Sequence, residues 1–164
     1  RYSVCGARIG CLVTHNQDIL DAALRLGQAR LCPATMEQLA ATAAVKTPQS
    51  YFDQVIEEYK KRRNVVFEEL EKIPGVVALK PQGAFYTIVK LPVDDADKFS
   101  TWLLKDFHLN HETIMLAPAN GFYATPGKGV DEVRIAFVLN VKDMKRSMEI
   151  LREGLKVYPG RKEN

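Results

Sequence analysis

The sequence predicts a mixed α/β chain in three stretches: an incomplete segment over 1–46, a long helix over 47–73 and a two-layer α+β body over 74–164. Three observations predict it. After Gly75 the hydrophobic period switches repeatedly between strand and helix in the order β-β-α-β-β-α, which closes one open-faced layer around a single core. "TPQSYFDQVIEEYKKRRNVVFEELEKIPG" carries a helical apolar stripe too long for a small domain. Residues 1–46 supply a strand and two apolar helices but no sheet for them to pack on.

In order, "IGCLVT" reads as a strand that follows a glycine turn. "NQDILDAALRLGQAR" places Ile19, Ala22, Ala23 and Leu26 at helical spacing, with Asn16 as cap and Gly27 as stop. "CPATMEQLAATAAV" starts a second helix, and Thr35 with Gln38 has the form of a capping box. The third helix has Thr47 as cap, Pro48 at its first position and Pro74-Gly75 beyond its end. Its stripe is Phe52, Val55, Ile56, Tyr59, Val66 and Leu70; roughly 25 residues would span about 37 Å, the length of a helix that bridges two bodies. "VVALKP" and "AFYTIVKL" form a strand pair around "PQG", with Gly83 making the turn. "DDADKFSTWLLKDFH" is an amphipathic helix that buries Phe99, Trp102, Leu103 and Phe107. "TIMLAPANGFY" runs from strand into loop, and "EVRIAFVLN" is a further strand. Asn140 caps a last helix that buries Val141, Met144, Met148, Leu151 and Leu155; the tail "PGRKEN" is expected to fray.

Composition narrows the function. Hydrophobic residues at 46% and charged residues at 26% are those of an ordinary globular protein. A net charge of +3, with acids and bases interleaved, is too small and scattered for a nucleic-acid surface. No apolar run reaches membrane-spanning length, so no membrane partner is expected. Cys5, Cys11 and Cys32 are odd in number and show no CxxC spacing, which favours reduced thiols in a cytosolic protein. Cys5 is expected to be a small buried hydrophobe rather than a reactive thiol. His15, His108 and His111 stand without an acid or cysteine at ligand spacing, and no metal site is predicted. "EEYKKRR" reads as the solvated face of the long helix.

Two arginines are the candidates for anion binding. In "GARIG", Arg8 offers a fork of donors suited to phosphate or carboxylate, although a plain surface turn would look the same. In "EVRIAF", Arg134 interrupts an apolar strand, where a guanidinium is costly unless it meets an anion or lies on the strand's polar face.

Taken together, "RYSVCGARIG", the long helix begun by Thr47-Pro48, "PQGAFY" and "VRIAFVLN" occur in the order and rough spacing of one family. The chain resembles the C-terminal part of the class I and II aminotransferases, fold-type I enzymes that use pyridoxal 5′-phosphate (PLP). The resemblance implies a trailing segment of the PLP-binding large domain over 1–46, the interdomain helix over 47–73 and the α+β small domain over 74–164. It implies that Tyr2 is the aromatic residue two places after the Schiff-base lysine, so that the lysine is expected just ahead of Arg1 and no catalytic residue within the chain. Arg8 would bind the cofactor phosphate and Arg134 the substrate α-carboxylate.

The implied activity is amino-group transfer between an amino acid and a 2-oxo acid. "APANGFYATPG" suggests an aspartate or broad-range enzyme, although neither Arg25 nor Arg30 can be tied to a second carboxylate. The resemblance further implies a cytoplasmic homodimer for the full-length protein, and inactivity with weak PLP binding for the 164-residue chain alone. A PLP-dependent C–S lyase or synthase of the same fold, and a non-catalytic α+β binding module, are the alternatives.

Overall fold

A computed structural model describes residues 2–163; Arg1, behind which the lysine is expected, and Asn164, at the end of the expected tail, lie outside the described residues. The chain divides into two compact units between Val55 and Ile56.

In the first unit a 3-10 turn at Cys5–Ala7 precedes helices α1 (Gln17–Gln28) and α2 (Thr35–Ala44) and the opening of α3 (Gln49–Leu70). Asn16 caps α1 as expected, its side chain accepting from the Ile19 N–H at 3.2 Å. Gly27 does not stop α1, which continues to Gln28. The capping box of α2 does not form. Ala34 occupies the cap position, and Gln38 instead donates to the Pro33 carbonyl at 2.9 Å. The strand expected in "IGCLVT" is absent among the described residues, because a strand exists only by pairing and these residues have no ladder to join. No described residue up to Val55 is buried; Leu26, Leu31, Met36 and Val45 are each more than 70% exposed. That matches apolar helices without a sheet. Near the start of α3, the Tyr51 hydroxyl donates to Ser3 Oγ at 2.7 Å and the Tyr2 and Phe52 rings meet edge to face at 5.4 Å.

The second unit contains the rest of α3, then β1 (Val77–Ala78), β2 (Tyr86–Lys90), α4 (Ala96–Lys105), β3 (Ala117–Pro118), β4 (Glu132–Ala136) and α5 (Val141–Val157). This is the expected β-β-α-β-β-α order. The strands form one antiparallel sheet in the order β1-β2-β4-β3, with Thr87 opposite Ile135 and Ile88 opposite Arg134. Alternation sends Val89, Val133 and Ile135 into the core, where they meet Val66 and Leu70 of α3, Phe99 and Leu103 of α4, and Met144, Met148, Leu151 and Leu155 of α5. Burying each of these side chains contributes about 2 kcal/mol. Trp102 and Phe107 pack at the margin of this core, and Val141 is only half-buried.

Local chemistry explains the ends of the elements. Asp95 caps α4 by accepting from the Lys98 N–H at 3.0 Å, and Asn140 caps α5 by accepting from the Asp143 N–H at 3.0 Å. In the β1–β2 turn the left-handed residue is Ala84, at φ +60°, and not Gly83. Glu57–Lys60 and Glu58–Arg62 form the expected surface pairs. Arg62 and Arg63 do more than face solvent, donating to the Val138 and Pro81 carbonyls at 2.8 and 3.0 Å. The tail, expected to fray, is held as far as Lys162. Gly160 O accepts from Asp94 N–H at 2.8 Å, Lys162 N–H donates to Pro92 O at 2.9 Å, and Tyr158 is only 8% exposed.

Candidate functional site

Arg134 stands on the open face of the sheet. Its neighbours Val133 and Ile135 point into the core, so the strand's own alternation turns the guanidinium outward and removes the cost of burying it. Register then decides its company. Tyr86 lies opposite Ala136, two residues along from Arg134 on the same face, within diagonal reach across the sheet. The Arg134 Cζ atom is 5.5 Å from the Tyr86 ring centroid and 5.2 Å from that of Phe122. Among the described residues no carboxylate pairs with Arg134, and its side chain makes no hydrogen bond. A cation held by two rings keeps its donor fork available to a planar anion.

Phe122 comes from a shaped loop. A 3-10 turn at Asn120–Phe122 follows β3, and the Asn120 side-chain amide donates to Asp97 of α4 at 2.6 Å. The Tyr123 hydroxyl donates to the Glu132 carboxylate at the start of β4. That hydrogen bond first, and partial burial second, push the Tyr123 phenol above its ordinary value. Gly129, at φ +72°, lets the loop close. A Cβ there would sit 2.6 Å from the Tyr123 ring and 3.1 Å from the Ala119 carbonyl carbon.

Arg8 lies in the first unit and Arg134 in the second. Arg8 is exposed and itself left-handed, at φ 51° and ψ 34°, while Gly6 and Gly10 on either side have no positive φ. Its Nη1 donates to the Cys5 carbonyl at 3.2 Å, and its remaining donors face no carboxylate among the described residues. Cys5, Cys11 and Cys32 are free and exposed, so Cys5 is not the expected buried hydrophobe: the residues around it build no core. The His108 and His111 rings stack at 5.5 Å, and no group of three or more metal-ligating side chains occurs among the described residues. No helix among them is long and apolar enough to cross a membrane.

Sequence reasoning did not find the partnership of Tyr86 and Phe122 with Arg134. "GAFY" and "NGFY" mark the aromatic residues, but only strand register and loop closure bring them to the guanidinium.

The family described as aminotransferase class I and II matches residues 1–151. The chain is 30% identical over 161 residues to the aspartate aminotransferase of Sulfurisphaera tokodaii, covering 93% of this chain and 38% of that protein. The aspartate aminotransferase of Rhizobium meliloti is 29% identical, with 90% and 37% covered. Among solved structures, the aspartate aminotransferase of Thermotoga maritima matches with a TM-score of 0.72 at 27% identity, over 94% of this chain and 37% of that one. The alanine aminotransferase of Pyrococcus furiosus matches with a TM-score of 0.67 at 28% identity, over 87% and 35%. The chain thus spans less than two-fifths of the length of these relatives. With the family match running from residue 1 to residue 151, and the fold shared with solved members, the chain belongs to the class I and II aminotransferases.

Proposed function

We propose that this chain acts as the C-terminal segment of a PLP-dependent aminotransferase that moves an amino group between an amino acid and a 2-oxo acid. Residues 1–46 belong to its large domain, 47–73 to its linking helix and 74–164 to its small domain. The observation that carries the proposal is Arg134: an outward guanidinium with an uncommitted fork, on the sheet of a chain that matches this family. The relatives named aspartate aminotransferase support aspartate as amino donor. A cytoplasmic homodimer is the working assembly, with the lysine contributed from sequence ahead of Arg1.

The donors present suit the cofactor. Arg8 has one N–H engaged by Cys5 O and the rest of its fork available, a match for the geometry of a phosphate. When bound, PLP supplies an electron sink for the bond that breaks at the substrate's Cα. Arg134 grips the α-carboxylate by two parallel hydrogen bonds and so fixes the orientation of the Cα–H bond. Lys at position 134 would keep the charge and lose the fork. In an enzyme carrying this segment, Arg134→Lys is expected to lower kcat/KM for the amino acid by about 2–4 kcal/mol of binding, chiefly through KM. Steady-state kinetics with both KM and kcat unchanged would remove Arg134 from the site.

A further inference from the structure

Two large rings are exposed on the open sheet face beside a charge that pairs with no carboxylate among the described residues. Tyr86 is 43% exposed and Phe122 is 55% exposed, yet both lie within 6 Å of the Arg134 guanidinium. Neither ring belongs to the core cluster, so core packing does not account for them. We propose that Tyr86 and Phe122 are positioning residues: they hold the Arg134 guanidinium in one orientation, with its N–H edge free, before a carboxylate arrives. The inference rests on the assignment of Arg134 as a carboxylate binder and adds what prepares it.

The physical reason is the entropy of the arginine side chain. A free arginine samples many rotamers, and an anion that must freeze them binds more weakly. A carboxylate partner would freeze the side chain but occupy the donors that the ligand needs. Aromatic faces attract the cation through their quadrupoles and leave its N–H groups uncommitted. The backbone supplies both rings from rigid places. Tyr86 sits in β2, with Thr87 beside it buried and bonded to the Leu79 carbonyl at 3.1 Å. Phe122 sits in a turn fixed on one side by Asn120 to Asp97 and on the other by Tyr123 to Glu132. The turn that carries Phe122 is therefore fixed by hydrogen bonds in which Arg134 takes no part.

The test uses the 164-residue chain and the Nε–Hε signal of Arg134 in a nitrogen-edited spectrum, identified by its loss in Arg134→Lys. Acetate is the probe, with chloride at equal ionic strength as control. In the unaltered chain the Arg134 protons are ring-shifted and the signal moves saturably with acetate. The pair of changes Tyr86→Leu and Phe122→Leu keeps apolar bulk, removes both rings and is expected to abolish the ring shift while weakening acetate binding about fivefold or more. Tyr86→Phe keeps a ring and retains both properties. Each single Leu variant, checked by circular dichroism, serves if the double variant does not fold. Acetate affinity within twofold of the parent in a folded variant lacking its ring would overturn the positioning role. So would Arg134 protons without a ring shift in the unaltered chain. A ring-shifted Arg134 signal that acetate does not move would instead sink the carboxylate assignment on which the inference rests.

Discussion

Replacing Tyr158 by Phe isolates the tie between the C-terminal tail and the body of the second unit. The Tyr158 ring packs edge to face on Phe99 at 4.9 Å and against Trp102 at 5.2 Å, and its hydroxyl donates to Asp94 Oδ1 at 2.9 Å. Burial first, and the Asp94 hydrogen bond second, push the phenol from its ordinary 10.0 up to about 12. At 1.36 kcal/mol per pH unit, that corresponds to a total on the order of 3 kcal/mol. Phenylalanine keeps the burial and loses only the hydrogen bond, so the expected loss of stability at neutral pH is about 1–2 kcal/mol. Asp94 is partly exposed and retains the Asp95 N–H and Lys98, so no buried charge is stranded.

Urea denaturation of both proteins across pH is the assay. A raised phenol pKa contributes stability that is fully present below pH 10 and is lost as pH rises through about 12. The gap between parent and variant should therefore be constant around neutrality and close in strong alkali, while lysine losses common to both cancel. Acid should narrow it too. Burial pushes the Asp94 carboxyl up, but the Tyr158 hydrogen bond, the Asp95 N–H and Lys98 together bring it below its ordinary value. Its contribution is present above that ordinary value and disappears as pH falls through the lowered one. Equal stabilities at neutral pH, or a gap that persists undiminished beyond pH 12, would refute this account of the tie.

Two further changes test the loop and the last helix. Gly129→Ala puts a Cβ against the Tyr123 ring at a left-handed backbone position, and a loss of about 2 kcal/mol or more is expected in thermal denaturation. The Tyr123 phenol should then titrate closer to its ordinary value, because its hydrogen bond to Glu132 opens. Asn140→Ala removes both the acceptor for the Asp143 N–H and the donor to the Asp143 carboxylate, and about 1 kcal/mol should be lost in urea denaturation.

The second unit was legible in the sequence because its signals are local and agree with one another. Asn140 precedes a helix whose stripe of Met144, Met148, Leu151 and Leu155 is buried, and Val133 and Ile135 bracket Arg134 in strict alternation. The first unit was less legible. "IGCLVT" has a strand's composition, but composition cannot supply the partner strand that would satisfy its backbone. The capping box of α2 failed by one residue, which is the margin between a threonine ahead of the helix and one inside it. A terminal position suggested fraying for "PGRKEN", whereas backbone hydrogen bonds to Pro92 and Asp94, far away in the chain, hold it.

By itself the sequence determined the order of elements after Gly75 and the caps of α1 and α5, and it singled out the two arginines proposed to bind anions. Each follows from side-chain pattern and the chemistry of neighbours within a few residues. Tertiary structure alone decided what surrounds Arg134. The pairing of β2 with β4 puts Tyr86 on its face, and a loop closed by Gly129, Tyr123 and Glu132 brings Phe122 to it. Strand register and loop closure depend on contacts between residues far apart in the chain, and no local pattern encodes them.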